Sequence, residues 1–136
     1  MARKRMVDSK LASSLTVSRL PVPARYGWVL LWSYLDDYGR GVDDARLIKA
    51  ACWPLDDKYT AAKVEADLKA YAELDLICRY YNSALPGRFL HSPKWTDYQK
   101  VQHPAKSTLP VCPLHDLHED VVSRSGFLHE ELRSAS

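Results

Sequence analysis

Apolar positions fall into four blocks, each ended by proline, glycine or clustered acids. The first, LPVPARYGWVLLWSYLDDYGRG (20–41), opens on Pro21 and Pro23, which suit a first helical turn because no backbone N–H is needed there. It closes on Gly39 and Gly41, and the spacing of Trp28, Leu31, Trp32 and Leu35 predicts a helix over about 23–36 with one face in a core. The second block, VDDARLIKAACWP (42–54), offers Asp43 or Asp44 as an N-cap, an apolar run through Leu47, Ile48 and Ala51, and Pro54 as a stop. In the third, Thr60 caps AAKVEADLKAYAEL (61–74), where Val64, Leu68 and Tyr71 share one face of a helix over about 60–74. The fourth, LICRYYNSALPGRFLHSPKW (76–95), holds two β-favouring runs, 76–81 and 88–91, around a turn-forming 82–87, which predicts a hairpin.

Three helices followed by a hairpin, with room for a short strand at GVDD (41–44), predict an α+β domain with the element order of a winged helix-turn-helix. The expected core is Leu20, Trp28, Leu31, Trp32, Leu47, Ile48, Val64, Leu68, Tyr71, Leu76 and Ile77. A chain of 136 residues, 46% apolar and 10% aromatic, suffices for one modest core. The expected division is a basic N-terminal arm over 1–20, a winged-helix domain over 21–106 and a flexible acidic C-terminal tail over 107–136.

The longest apolar run, YGWVLLWSYL (26–35), falls short of the roughly 20 residues a membrane-spanning helix needs. The start, MARKRM followed by VDSKLASSL, lacks the continuous apolar stretch of a secretory signal. Cys52, Cys78 and Cys112 are odd in number and without framework spacing, so free thiols in a reducing cytoplasm are expected, with no membrane partner.

The net charge of +2 conceals an uneven distribution. Residues 1–25 hold six basic residues against one acid and 80–110 hold four against one, whereas 111–136 hold two against five. Local charge of this kind, and not the total, makes a binding surface for a polyanion. Arg3, Lys4, Arg5 and Lys10 are the candidate residues of the arm, and Arg88 and Lys94 flank the hairpin. Lys100, Gln102, His103 and Lys106 continue past it in HSPKWTDYQKVQHPAKSTLP (91–110). The outward face of the third helix presents Ala62, Ala66, Ala70 and Glu73 beside Lys63 and Lys69, without the Arg, Asn or Gln that make the common bidentate contacts to bases. Such a surface holds phosphates and reads little sequence. A helix packed against a protein partner or second subunit accounts for the same face.

Four stretches together, MARKRMVDSK, LPVPARYGWVLLWSYLDDYGRG, AELDLICRYY and KWTDYQKVQHPAKSTLP, resemble the N-terminal module of bacteriophage replication-initiation proteins, which are similar to DnaD-like replisome organisers. The resemblance covers about residues 1–110. It rests on an aromatic-rich first helix closing on Asp-Asp-x-Gly-Arg and on a tryptophan after the hairpin leading into Gln-Lys-Val and a proline. It implies a phage-type winged-helix protein that binds double-stranded DNA in replication initiation, with replication proteins of the host or phage as further partners. The alternatives are an adaptor for a replication or transcription partner and a dimeric transcriptional repressor; monomer and dimer both stay open.

Three other chemistries have some support in the residues. DDYGRGVDD (36–44) has the acid density of a calcium loop but not its Asp-x-Asp-x-Asp-Gly order or closing glutamate, so turn and cap roles are expected. In the tail, Cys112, His115, His118 and His129 invite a zinc reading, yet Cys-x2-His-x2-His is not a usual structural spacing and no second cysteine pair lies nearby in sequence. Neither metal nor cofactor is therefore expected, nor stable tertiary contact after about residue 112. No Gly-rich phosphate loop, metal-binding helix or nucleophile motif supports an enzyme.

Overall fold

Residues 4–83 and 85–115 are described by the structure, a computed structural model. Their elements run α1 (Val22–Tyr34), β1 (Arg40–Val42), α2 (Ala45–Cys52), α3 (Ala61–Glu73), β2 (Cys78–Tyr81), β3 (Arg88–His91) and α4 (Trp95–Tyr98), after two single turns of 3-10 helix at Leu11–Ser13 and Val17–Arg19. The architecture is α+β, in an order compatible with a winged helix. No helix among the described residues is long and apolar enough to cross a membrane.

Local chemistry accounts for the boundaries. Pro21 and Pro23 stand at the entrance of α1. Asp44, of the two cap candidates, accepts the Arg46 N–H at the start of α2, and Thr60 accepts the Lys63 N–H at the start of α3. The carboxyl of Asp44 is held down at about 2, chiefly by its hydrogen bonds with Arg46. Beyond α3 the chain reverses through Asp75, at φ 59°, with Asp75 N–H donating to Ala72 and Leu76 N–H to Tyr71, both 2.9–3.1 Å long. This is a Schellman closure with aspartate where glycine is usual.

The sheet is antiparallel with order β1-β3-β2. Register places Gly41, Leu90 and Arg79 in one row, and Arg40, His91 and Cys78 in the next. Because side chains alternate across a strand, Leu90 faces the helices, while Cys78, Tyr80, Phe89 and His91 share the opposite face. The helical face builds the main core: Trp28, Leu31, Trp32, Leu35, Ile48, Val64, Leu68, Tyr71, Leu76, Ile77, Leu90 and Trp95 are all buried. Trp28 meets Trp32 edge-on with ring centroids 5.9 Å apart, and the Tyr71 hydroxyl donates to the Ala24 carbonyl at 2.6 Å. Gly27 leaves room for that hydroxyl, since a Cβ there would stand 2.9 Å from it.

The expected core is found with one correction. Leu47 is 51% exposed, whereas its neighbour Ile48 is buried. Adjacent residues on a helix point about 100° apart, so in an eight-residue helix Ile48 takes the inward position and Leu47 is left outside.

The two terminal segments also differ from expectation. Residues 4–20 are mostly exposed but anchored, by the part-buried Arg5 and by Val17 and Leu20 in the main core. The opposite face of the sheet is covered by chain assigned to the tail: Cys112 is fully buried with Tyr80 and Phe89, and Leu109 packs beside them. The Tyr80 hydroxyl donates to the Pro110 carbonyl at 2.6 Å, and Ser107 Oγ to Asp36 at 2.6 Å. A sheet whose second face carries Tyr80 and Phe89 needs a cover, and the returning chain supplies it.

Leu68→Ala is expected to cost about 2–5 kcal/mol in urea unfolding, against about 0.5 kcal/mol or less for Leu47→Ala. Asp75→Gly should raise stability by up to about 1 kcal/mol, since glycine adopts the left-handed conformation without steric cost.

Candidate nucleic-acid interface

Burial of Val64, Leu68 and Tyr71 turns the other side of α3 outward, and Ala62, Ala66, Lys69 and Glu73 follow there at helical spacing, with Lys63 alongside. The two remaining acids of α3 are engaged within the fold. Glu65 binds Arg79 of β2 through two contacts of 2.8–2.9 Å, and Asp67 accepts the Tyr59 hydroxyl. Burial raises the Asp67 carboxyl above its ordinary value, although the Tyr59 bond opposes this.

Arg79 is shared. Its Nε and one terminal nitrogen grip Asp43 at 2.7 and 2.8 Å while its other contacts reach Glu65. The planar guanidinium thus ties the β1–α2 junction, β2 and α3 into one body through two paired carboxylates. The Arg79 hydrogen bond holds the Glu65 carboxyl below its ordinary value of 4.5, and the nearby charges of Arg88 and Lys69 act in the same direction. Lys69 of α3 and Arg88 of β3, both exposed, therefore stand around one carboxylate whose own charge Arg79 already answers.

The other expected contacts distribute as follows. Lys63 is exposed, with its ammonium 5.9 Å over the Tyr59 ring. Lys10 and Lys94 are exposed on the rim of one groove of about 670 Å³ floored by Trp28, Trp32 and Leu76. Lys100 and Gln102 border a separate hollow beside Asp37, Tyr38 and Trp95, and the Lys100 ammonium donates to the Thr96 carbonyl at 3.0 Å. His103 and Lys106 are exposed on the returning segment, and Lys4 is exposed near the N-terminus. Arg3 lies outside the described residues.

Arg5 is the clear correction. Its side chain is only 6% exposed, donates to the Trp32 and Leu35 carbonyls and Asp37 Oδ1 at 3.1 Å each, and lies 5.0 Å from the centre of the Trp95 ring. It cannot meet a phosphate. Nor does 91–110 form a free strip after the hairpin, because the Ala105 N–H donates to Asp37 Oδ2 at 2.9 Å and Arg40 reaches the Leu109 carbonyl at 3.5 Å.

The four acids of DDYGRGVDD have turn and cap partners: Asp36 accepts the Tyr38 and Arg40 N–H groups, Asp37 receives Arg5, Asp43 receives Arg79 and Asp44 caps α2. Two constellations were missed from sequence. One is the Arg79 triad, signalled only by a lone arginine in a strand. The other gathers Cys78, His91, Cys112 and His115 from two strands and the returning chain. Burial pushes the Cys112 thiol up, but hydrogen bonds with His91, the Leu114 backbone and His115 outweigh it and bring the group down to about 6. His118 and His129 lie outside the described residues.

No family model matches the chain, and neither a curated protein nor a solved structure matches it.

Asp43→Ala, which strips a buried carboxylate from Arg79, is expected to lower stability by about 2–3 kcal/mol, and Glu65→Gln by about 1 kcal/mol or less. Because folding lowers the Glu65 pKa, its contribution is full above 4.5 and is lost as pH falls through the folded value. Urea titrations from pH 7 to 3 should show the wild type losing that increment and Glu65→Gln not.

Proposed function

We propose that this chain is a winged helix-turn-helix protein that holds duplex DNA chiefly by its phosphates, with α3 as the groove-facing helix and the β2–β3 hairpin as the wing. The observation that carries the reading is the outward face of α3, where Ala62 and Ala66 lie exposed with Lys69, Glu65 and Asp67 are engaged within the fold and Glu73 is the acid left exposed. Arg88 of β3 is exposed too, and its charge acts on the same Glu65 carboxylate as that of Lys69. A stripe of small side chains lets a helix approach a groove closely, and cations at its edge replace condensed counterions on the backbone. Lys63 extends the same edge. Base discrimination is weak in this arrangement, because the stripe holds no side chain of the kinds that read guanine or adenine bidentately. The role in bacteriophage replication initiation, with host or phage replication proteins as further partners, rests on the sequence resemblance alone. Neither cofactor nor catalytic step belongs to this reading.

The test is binding of the purified chain to random duplex and to its own genomic region across a salt series. Lys69→Ala with Arg88→Ala should weaken binding to all sequences alike and reduce the magnitude of the log–log salt slope by about 1.8, or about 0.9 for each phosphate no longer neutralised. Arg5→Ala should leave the slope unchanged while lowering the unfolding midpoint. Absence of measurable affinity at low salt would replace the reading with a protein adaptor, and strong preference for a palindromic site would replace it with a dimeric repressor.

A further inference from the structure

On the face of the sheet away from the helices, register sets Cys78, the first residue of β2, directly opposite His91, the last of β3. The returning chain lowers Cys112 onto this pair. Its Sγ lies 3.6 Å from Cys78 Sγ and 3.5 Å from His115 Nδ1, and the ligand atoms of Cys78, Cys112 and His115 all fall within 4.8 Å of one another. The His91 side chain is buried beside them, its ring centroid 5.3 Å from that of His115. No disulfide joins the cysteines.

These separations have a metric meaning. A tetrahedral zinc ion with Zn–S of about 2.3 Å and Zn–N of about 2.0–2.1 Å requires its sulfurs to stand about 3.8 Å apart and sulfur and nitrogen about 3.5 Å apart. The two distances at Cys112 Sγ, 3.6 and 3.5 Å, fit that polyhedron, and the Cys78 and His115 ligand atoms, within 4.8 Å of each other, reach it by a small closure. The donor set fits as well, because two thiolates and two neutral imidazoles are a usual structural zinc set. Two thiolates also cancel the charge of a divalent ion, so the complex can occupy a partly buried position without an uncompensated charge. On binding, each cysteine thiol gives up its proton to solvent and each histidine offers a neutral ring nitrogen.

The geometry points to a structural zinc site built on Cys78, Cys112 and His115, with the adjoining His91 imidazole turning in to fill the fourth position, which fastens the returning C-terminal segment to the base of the β2–β3 hairpin. Its sequence form is Cys-x12-His-x20-Cys-x2-His. Reading the tail alone concealed it, because the partners that Cys112 and His115 need are not His118 and His129 but two residues brought together by strand register. The cluster at the base of the hairpin is otherwise small: Tyr80, Phe89 and Cys112, with Cys78 and Leu109 packed against them. Four coordination bonds there would stiffen a connection that now depends on few apolar contacts. His115 is exposed, which leaves an entry path for the ion. This site stands independently of the reading of α3.

The test is metal analysis of the full-length chain purified under reducing conditions without chelator, combined with cobalt substitution. Expected are about one zinc per chain, a thiolate-to-cobalt charge-transfer band with tetrahedral ligand-field absorption when Co²⁺ is added to the apoprotein, and disappearance of both absorptions when Zn²⁺ displaces the cobalt. Cys78→Ser and Cys112→Ser should each cut bound zinc at least about tenfold, and His118→Ala should leave it unchanged. Circular dichroism of the wild-type apoprotein shows whether α1–α3 persist, so the cobalt titration remains decisive even if a cysteine variant misfolds. A folded wild-type chain that takes up neither zinc nor cobalt would overturn the site, as would retention of zinc by Cys78→Ser, or a Cys78–Cys112 disulfide persisting in the reduced preparation.

Discussion

The turn at Asp36–Asp37 is where three separate pieces of chain are fastened, and the arrangement of the segments outside the helical core depends on it. Asp36 closes its own turn by accepting the Tyr38 and Arg40 N–H groups, and its second oxygen takes the Ser107 hydroxyl. Asp37 receives Arg5 and the Ala105 N–H on its two carboxylate oxygens, and its carbonyl receives the Trp95 indole at 2.9 Å. Gly39, at φ 78°, permits that indole to lie flat against the turn, since any Cβ there would stand 2.7–2.9 Å from the Trp95 side chain. A buried ion pair repays the loss of water only when its remaining donors are also satisfied. Arg5 meets that condition through two backbone carbonyls, and the reciprocal bonds of 2.7 and 2.8 Å between Met6 and Gln99 hold the same segment from its other side.

This constraint changes what the charge of the chain means. Formal charge assigns the N-terminal stretch a strongly basic character, but Arg5 is consumed by Asp37, and Arg25 folds back on the Ser18 and Leu20 carbonyls. The acids of the middle are consumed in turn, as Asp36, Asp37, Asp43, Glu65 and Asp67 all answer donors within the fold. Among the described residues, what faces solvent is a set of lysines with Arg19, Arg46 and Arg88, interspersed with acids such as Asp8, Asp56, Asp57, Glu73, Asp75 and Asp97. A charge map drawn along the sequence cannot make that subtraction, because every hydrogen-bond partner of the Arg5 side chain is about thirty residues away in sequence.

Local signals were therefore legible and long-range pairings were not. The prolines before α1, the Thr60 cap and the β-favouring run after α3 each act within a few residues, and the elements appear where those signals stand. The β1 strand at Arg40–Val42 was legible only as room for a strand, since three residues carry no period of their own. Leu47 and Ile48 could not be told apart by composition, because an eight-residue helix offers too few turns to fix which face is inward. The exposed stripe of α3 was readable at Ala62, Ala66 and Glu73 because thirteen residues fix the inward face, whereas Ala70, expected on the same stripe, is half-buried against the core. By contrast, Cys78 and Cys112 meet across 34 residues, and only the strand register and the path of the returning chain decide that they do.

The hairpin consequently has two unlike ends. At its base, Cys78 and His91 lie opposite each other beneath Cys112, Tyr80 is bonded to the returning chain, and Arg79 is locked to Asp43 and Glu65 on the helical side. At its tip, Tyr81 pairs with Arg88 in register, and both are exposed. Gly87 there has φ 118° and open space around it. Motion of a hairpin tip is limited by how firmly its base is held, since bending must be taken up where packing is weakest. With both faces of the base covered, one by helices and the other by the returning chain, Arg88 is carried by a strand whose position relative to α3 is set by the Arg79 bridge.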